Sequence, residues 1–374
     1  PHTRLIYRRQ PLQKIDPGKA TVQPNQPIVA GAFTTITYTY TAGHPIDDSG
    51  YVKIAFRTIS DFGAPQFDNP ESPNFCYAST TGVCRIEHRW DHKGHTRPWS
   101  QALFLMVRGG FLDRGEKISV VFGDTSEGSP GWQMQTFCVK RFEFKTLTDP
   151  IATYEFKEIP SSPSMRIVPG KPIQAVCIAP SQVMVNEPFT YFLKLEDRWG
   201  NPTDKPQERN HPGWEIEGCQ TVYAVDEKTN LSARSNPIEV LTQAASLHPY
   251  WADFHGQTEE TIGSNSIEDY FTFGRDYGLL DILAHQGNDF QITDEFWEQI
   301  NQVAKDFYKP GVFVTFPGYE WSGNTPLGGD RNVYFASEGG KITRSSTDLL
   351  PGKTAADKNS PTAAHLFENL TSQK

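Results

Sequence analysis

The chain has 374 residues, a net charge of −9 and a hydrophobic content of 37%. Such a length allows two or three domains, and the acidic balance argues against a surface built for nucleic acid. Pro (28) and Gly (30) are abundant, as suits loop-rich β-domains, and no apolar run approaches the roughly 18–20 residues of a membrane-spanning helix.

Neither nucleic acid nor membrane is therefore an expected partner. The chain begins Pro-His-Thr-Arg, without Met or a leader pattern. Its five cysteines, Cys76, Cys84, Cys138, Cys177 and Cys219, are scattered and contain no CxxC, so a structural zinc site is not expected. Reduced cysteines and a cytoplasmic location are the expectation. A secreted or periplasmic protein, with Cys76 paired to Cys84, is the alternative. Asn230-Leu-Ser and Asn369-Leu-Thr fit the glycosylation tripeptide, a pattern common by chance.

The first 160 residues read as an all-β sandwich. Thr34–Tyr40 and Tyr51–Arg57 alternate, and Ala102–Arg108, Lys117–Phe122 and Arg141–Lys145 follow between Gly, Pro and Asp turns. One loop, His88-Arg-Trp-Asp-His92-Lys-Gly-His95, gathers three imidazoles and a carboxylate. Gly94, Pro98 and the neighbouring cations argue for an exposed loop there, not a metal site; contact with an anionic substrate through Trp90, Trp99 and Arg97 is a further reading. The linker Pro160-Ser-Ser-Pro-Ser-Met165 leads into a small Ig-like β-domain, 161–245. Its strands include Gln174–Ile178 and Phe189–Leu195, with an Asp197…Gly200-Asn turn after them.

From residue 246 to 374 the pattern changes. Tyr250-Trp-Ala-Asp-Phe-His-Gly-Gln-Thr258 ends an apolar run with Asp253, His255 and Gln257, which an extended strand would place on one face. Ser266 to Gly278 has helical spacing with a Ser start and a Gly stop. Asp281-Ile-Leu-Ala-His285 is a second strand ending in a possible ligand, and Thr293–Tyr308 a second amphipathic helix. Val312–Glu320 reads as a third strand, ending in a carboxylate. Strand ends carry the chemistry in parallel β/α folds, and imidazole, amide and carboxylate groups suit a divalent metal.

Four runs, 253–258, 284–290, 316–323 and 328–333, together resemble the polymerase and histidinol phosphatase (PHP) superfamily of metal-dependent phosphoesterases, and more closely a PHP-like branch of unknown function. The resemblance extends into the β-rich region at Phe122-Gly-Asp, Gly128-Ser-Pro-Gly, Gln135-Thr-Phe and Asp197–Pro202. It implies a multidomain protein in which all-β sandwich and Ig-like domains precede the first half of a β/α barrel. It makes His255, His285 and Glu320 metal ligands, with Glu320 bridging. Gln257 stands where the wider superfamily has a second His, a departure that weakens or alters one metal position. Asp253 is expected to orient His255, or to ligate directly. Asn288 and Asp289 are either ligands or loop formers.

A complete barrel needs on the order of 250 residues, so the remainder of the same polypeptide is an expected partner. The last segment, Ala363–Leu370, reads as one more helix. The implied cofactors are up to three divalent ions in the intact protein, zinc or manganese, with iron or magnesium as the other candidates. No catalytic side chain is assigned beyond a metal-activated water. Asp330, Arg331 and Asn332 follow a Gly-rich turn and are expected to contact a small anionic substrate such as a phosphoester, Arg331 by its guanidinium fork. A salt-bridged Arg331 is the plainer reading. Two functions are carried forward: a metal-dependent hydrolase, acting on a phosphoester or on a C–N or carboxylic ester bond, and a non-catalytic binding or scaffold protein with a degenerate site.

Overall fold

The computed structural model describes residues 15–348, 350 and 359–373. It divides into two compact units: the first runs through Gln135 and resumes at Arg141–Arg166, and the second comprises Thr136–Lys140 and everything from Ile167 onward.

The first unit is built from antiparallel sheets. A four-stranded sheet has the order Lys19–Gln23, Ile36–Thr41, Lys117–Phe122, Cys76–Thr80; a five-stranded one has Lys157–Glu158, Lys145–Asp149, Tyr51–Phe56, Gln101–Phe111, Val83–Asp91. Alternation dictates the packing. Ile36, Tyr38 and Tyr40 are buried on one strand and Ile118, Val120 and Phe122 on its neighbour, as a half-buried strand requires. Phe56 of the larger sheet meets Phe122 of the smaller with ring centroids 6.1 Å apart, and Trp132 stacks on Phe122 at 4.7 Å. The buried Tyr38 hydroxyl is satisfied by Thr146 Oγ1 at 2.9 Å, since an unpaired hydroxyl there would be costly.

The second unit contains two hydrophobic cores. Cys177, Val183, Phe189, Leu193, Ile238 and Val240 form one, between the sheet of Gln174–Ile178, Phe189–Glu196 and Gln207–His211 and that of Gln182–Met184, Ile238–Leu241 and Gly218–Gln220. The turn after Phe189–Glu196 is tied by buried Asp197, whose carboxylate accepts from the backbone N–H groups of Gly170, Trp199 and Asn201.

The other core belongs to a β/α segment. Strands Ala252–Gly256, Ile282–His285 and Val314–Phe316 pair in parallel in that order. Helix α1 (Ile267–Asp276) is capped by Ser266, which accepts from Asp269 N; helix α2 (Asp294–Phe307) is capped by Thr293, which accepts from Phe296 N. Acidic residues in both first turns complement the helix dipole. The apolar stripe of α2, Phe296, Ile300 and Val303, joins Phe271, Leu283, Tyr319 and Trp321 in one core. Helix α3 (Ala363–Thr371) adds Leu366. Among the described residues the longest helix has 14 residues, and none is long and apolar enough to cross a membrane.

Three local expectations are corrected. Val312–Glu320 is not one strand: it breaks at Pro317, and Gly318–Trp321 pairs antiparallel with Arg331–Tyr334. Proline has no N–H to continue a ladder, and a Cβ at Gly318 would lie 2.8 Å from the backbone oxygen of Val333, so glycine is what lets the chain run this close to its partner strand. The first strand of this segment stops at Gly256, with a ladder irregularity between Asp253 and Gly256; Asp253, His255 and Gln257 therefore do not form one regular strand face. His88 is not in a loop but in the strand Val83–Asp91.

Truncating Ile300, which is fully buried in the second core, should cost about 2–5 kcal/mol. Ile300→Ala should lower the denaturant midpoint of the helical circular dichroism signal, because all three described α-helices lie in the second unit. An unchanged midpoint would mean that α2 does not hold this core together.

Candidate functional site

Three stretches of the β/α segment converge on Glu320. Its strand pairs with Arg331–Tyr334 so that Glu320 lies opposite Asn332. Its backbone N–H donates to Gly287 O at 2.9 Å, in the loop that follows Ile282–His285. The carboxylate is largely buried, and two amides donate to the same oxygen: Asn288 Nδ2 at 2.8 Å and Gln257 Nε2 at 3.3 Å from Oε2. His255, whose side chain is 58% exposed, places Nε2 4.0 Å from Oε2. Its Nδ1 lies 2.9 Å from Asn332 Nδ2.

The two amides leave something over. Gln257 Oε1 and Asn288 Oδ1 are buried without a hydrogen-bond partner. A buried acceptor left unpaired is destabilising, and oxygens of this kind are good ligands for hard or borderline cations. Metal bonds of about 2.0–2.2 Å at a tetrahedral angle set two ligands of one ion roughly 3.4 Å apart, so the 4.0 Å gap between His255 and Glu320 is wider than one bound ion would leave it. The donor types fit a divalent cation, and a small movement of the exposed His255 ring would close that gap. Among the described residues, no three His, Cys, Asp or Glu side chains come together at metal-binding spacing.

The remaining sequence candidates have other contacts. His285 is completely buried, and burial pushes its imidazole down to about 3. Its Nδ1 accepts from Gly287 N–H at 3.2 Å, which puts the ring proton on Nε2. That nitrogen faces Thr258 Oγ1 at 3.1 Å, and the Thr258 hydroxyl donates to Glu260 at 2.5 Å. His285 thus heads a buried hydrogen-bond chain, with neither ring nitrogen turned to His255 or Glu320. Asp253 does not touch the His255 ring; it accepts from the His255 backbone N–H at 2.9 Å and from Tyr270 Oη at 3.1 Å. A Cβ on Gly256 would lie 2.1 Å from Tyr270 Oη, so glycine is what lets that tyrosine in. Asp289 is buried and accepts from Ser322 N, Ser345 N and Ser345 Oγ, tying the loop to the hairpin. Arg331 is exposed and donates to the backbone carbonyl of Asp330 at 2.8 Å; Asp330 is exposed beside it.

Sequence reasoning missed Tyr270, Glu260 and the pairing of Asn332 with His255. The Tyr270 contact was hidden because its helical spacing reads simply as core, and the Asn332 pairing depends on a hairpin register. In the first unit, the imidazoles of 88–95 disperse. His88 stacks on Phe67 at 3.7 Å, His92 lies edge-on to Trp90 at 5.7 Å, and His95 Nδ1 is 3.3 Å from Lys53 Nζ. Burial, then the charges of Lys53 and Lys145, push His95 down to about 4. All five cysteines are free.

The buried chain has a pH consequence. An unfolded His takes up a proton near pH 6.5, while folded His285 resists it until about 3. The unfolded state therefore binds the extra proton in that window, and the stability contributed by neutral His285 is full above it and lost as pH falls through it. His285→Gln should be less stable at neutral pH yet show a flatter loss of stability on acidification. Equal acid slopes for the two proteins, measured by denaturant titration, would contradict this assignment.

Residues 229–374 match a family model described as a protein of unknown function, DUF3604. An uncharacterised protein of Chlamydia pneumoniae is 26% identical over 263 residues, covering 61% of this chain and 42% of the relative. One from Chlamydia trachomatis is 25% identical over 262 residues with the same coverage. The chain therefore spans less than half the length of these relatives. Among solved structures, a cohesin module from a Clostridium perfringens family 33 glycoside hydrolase aligns at 9% identity and a TM-score of 0.25, covering 41% of this chain and 97% of that one. A likeness that low identifies no common fold. The chain is thus similar, over its last 146 residues, to a family whose description assigns no activity.

Proposed function

We propose that the β/α segment is the first part of a PHP-type barrel, and that the intact protein is a metal-dependent hydrolase acting on a small anionic ester, a phosphoester foremost. The observation that carries this reading is the approach of His255 to Glu320 at 4.0 Å, flanked by two buried amide oxygens without partners. His255, Glu320, Gln257 and Asn288 would hold a divalent ion, zinc or manganese before iron or magnesium, with further ligands from the rest of the polypeptide. Such an ion, when bound, supplies acidification of water and neutralisation of charge on the substrate oxygens.

The protein's own groups have distinct parts. Glu320 brings a buried negative charge that favours a cation. Gln257 and Asn288 stabilise that charge through N–H donation and can offer oxygens after a half-turn of each amide. His255 lies at the solvent side of the locus, where a substrate can reach it. Arg331 has guanidinium donors beyond the one given to Asp330 O and suits a phosphate or carboxylate oxygen. The commitment of His285 to Thr258 favours a second reading, a binding protein whose site has lost a ligand.

Calorimetric titration of the intact protein with Zn²⁺ and Mn²⁺, and a screen of phosphomonoesters, phosphodiesters, esters and amides, separate the two. The expected result is stoichiometric metal and turnover, both abolished by Glu320→Gln. That loss should exceed the roughly 10–100-fold typical of removing an outer hydrogen-bond partner of a ligand. Gln257→His should tighten metal binding, since imidazole is the better donor for these ions. Metal binding without turnover would favour the binding protein, and unchanged metal content in Glu320→Gln would remove Glu320 from the site.

A further inference from the structure

We infer that Asn332 is a positioning residue: its side-chain amide holds the His255 ring through Nδ1, and by presenting either its N–H or its oxygen it lets Nε2 carry the proton in the free protein and offer a lone pair beside Glu320 when a cation is bound. This assigns Asn332 to the histidine and not to the substrate, and its ligand-directing part rests on the metal reading above.

The geometry begins with the hairpin. Glu320 and Asn332 are cross-strand partners, and one imidazole from a distant strand spans the pair. Its Nδ1 is 2.9 Å from the Asn332 amide and its Nε2 4.0 Å from Glu320 Oε2. A second bond fixes the same two strands together: Tyr334 Oη donates to Phe254 O at 2.6 Å. Because the His255 side chain is 58% exposed, packing alone does not select its ring orientation. The Asn332 hydrogen bond is the directional contact available to do so.

The chemistry follows from the tautomers. Neutral imidazole has one N–H and one lone pair. When Asn332 presents Nδ2–H, as here, Nδ1 accepts and the ring proton sits on Nε2. A half-turn of the amide presents Oδ1; Nδ1–H then donates, and the lone pair moves to Nε2. Only that second arrangement can ligate an ion beside Glu320, and partners of this kind raise the basicity of a ligating histidine.

The test uses the full-length protein and nitrogen NMR of its histidines, at a pH where His255 is neutral, with His255→Gln to identify the signals. Asn332→Asp can only accept, so it should convert His255 to the Nδ1–H tautomer without metal, and it should keep Zn²⁺ affinity within about ten-fold of wild type. Asn332→Leu should lower Zn²⁺ affinity by roughly 10–100-fold. Wild-type His255 signals in Asn332→Asp would overturn the inference whatever the metal does, as would, where wild type binds Zn²⁺, an unchanged affinity in Asn332→Leu. If Asn332→Asp converts the ring but wild type binds no Zn²⁺, the positioning role stands and the metal reading fails.

Discussion

A carboxylate taken out of water costs several kcal/mol unless hydrogen bonds or an opposite charge replace its hydration, and Glu320 imposes that constraint on its surroundings. Two amides from separate loops donate to one of its oxygens, and its own backbone N–H is bound to Gly287. The hairpin, the 286–289 loop and the turn after Ala252–Gly256 are brought together at this point. Asp289 repeats the device one layer away, spending its oxygens on Ser322 and Ser345. Two buried acids thus fix the loops of the β/α segment where a hydrophobic core alone would leave them free to slide.

The periodic parts of this arrangement were legible in the sequence. Ser266 and Thr293 act as the helix caps that their position and following acidic residues imply. The stripe of α2 is buried as its spacing demands, and the alternating strands of the first unit face each other through Phe56 and Phe122. These features depend on residues a few positions apart, so local order is enough to read them.

What was not legible depends on register and burial. A run from Val312 to Glu320 looks like one strand until Pro317 and the partner Arg331–Tyr334 are known, and that partner is what sets Asn332 beside His255. His285 occupies a strand end, which is where a ligand is expected, yet its ring is fully buried and bound to Thr258. The 88–95 cluster shows the converse. Three histidines in eight residues look like one site, but a strand sends its side chains to opposite faces, and the rest of the cluster follows a turn. Each ring ends against a different neighbour.

Gln257 gains meaning from the same electrostatics. An imidazole at that position could become cationic and pair with Glu320 outright, whereas an amide donates to the carboxylate without adding charge. His255, whose side chain is open to solvent, stands 4.0 Å from that carboxylate. On the reading proposed above, a cation entering beside Glu320 would be attracted by its carboxylate. Against it would stand three hydrogen bonds to be given up, since Asn288 Nδ2 donates to Ser322 Oγ as well as to Glu320, and these would be returned in part as the unpaired oxygens of Gln257 and Asn288 turned toward the ion. On that reading the balance would favour an ion that accepts neutral oxygen donors, and occupancy would depend on how easily two amides rotate within a packed loop.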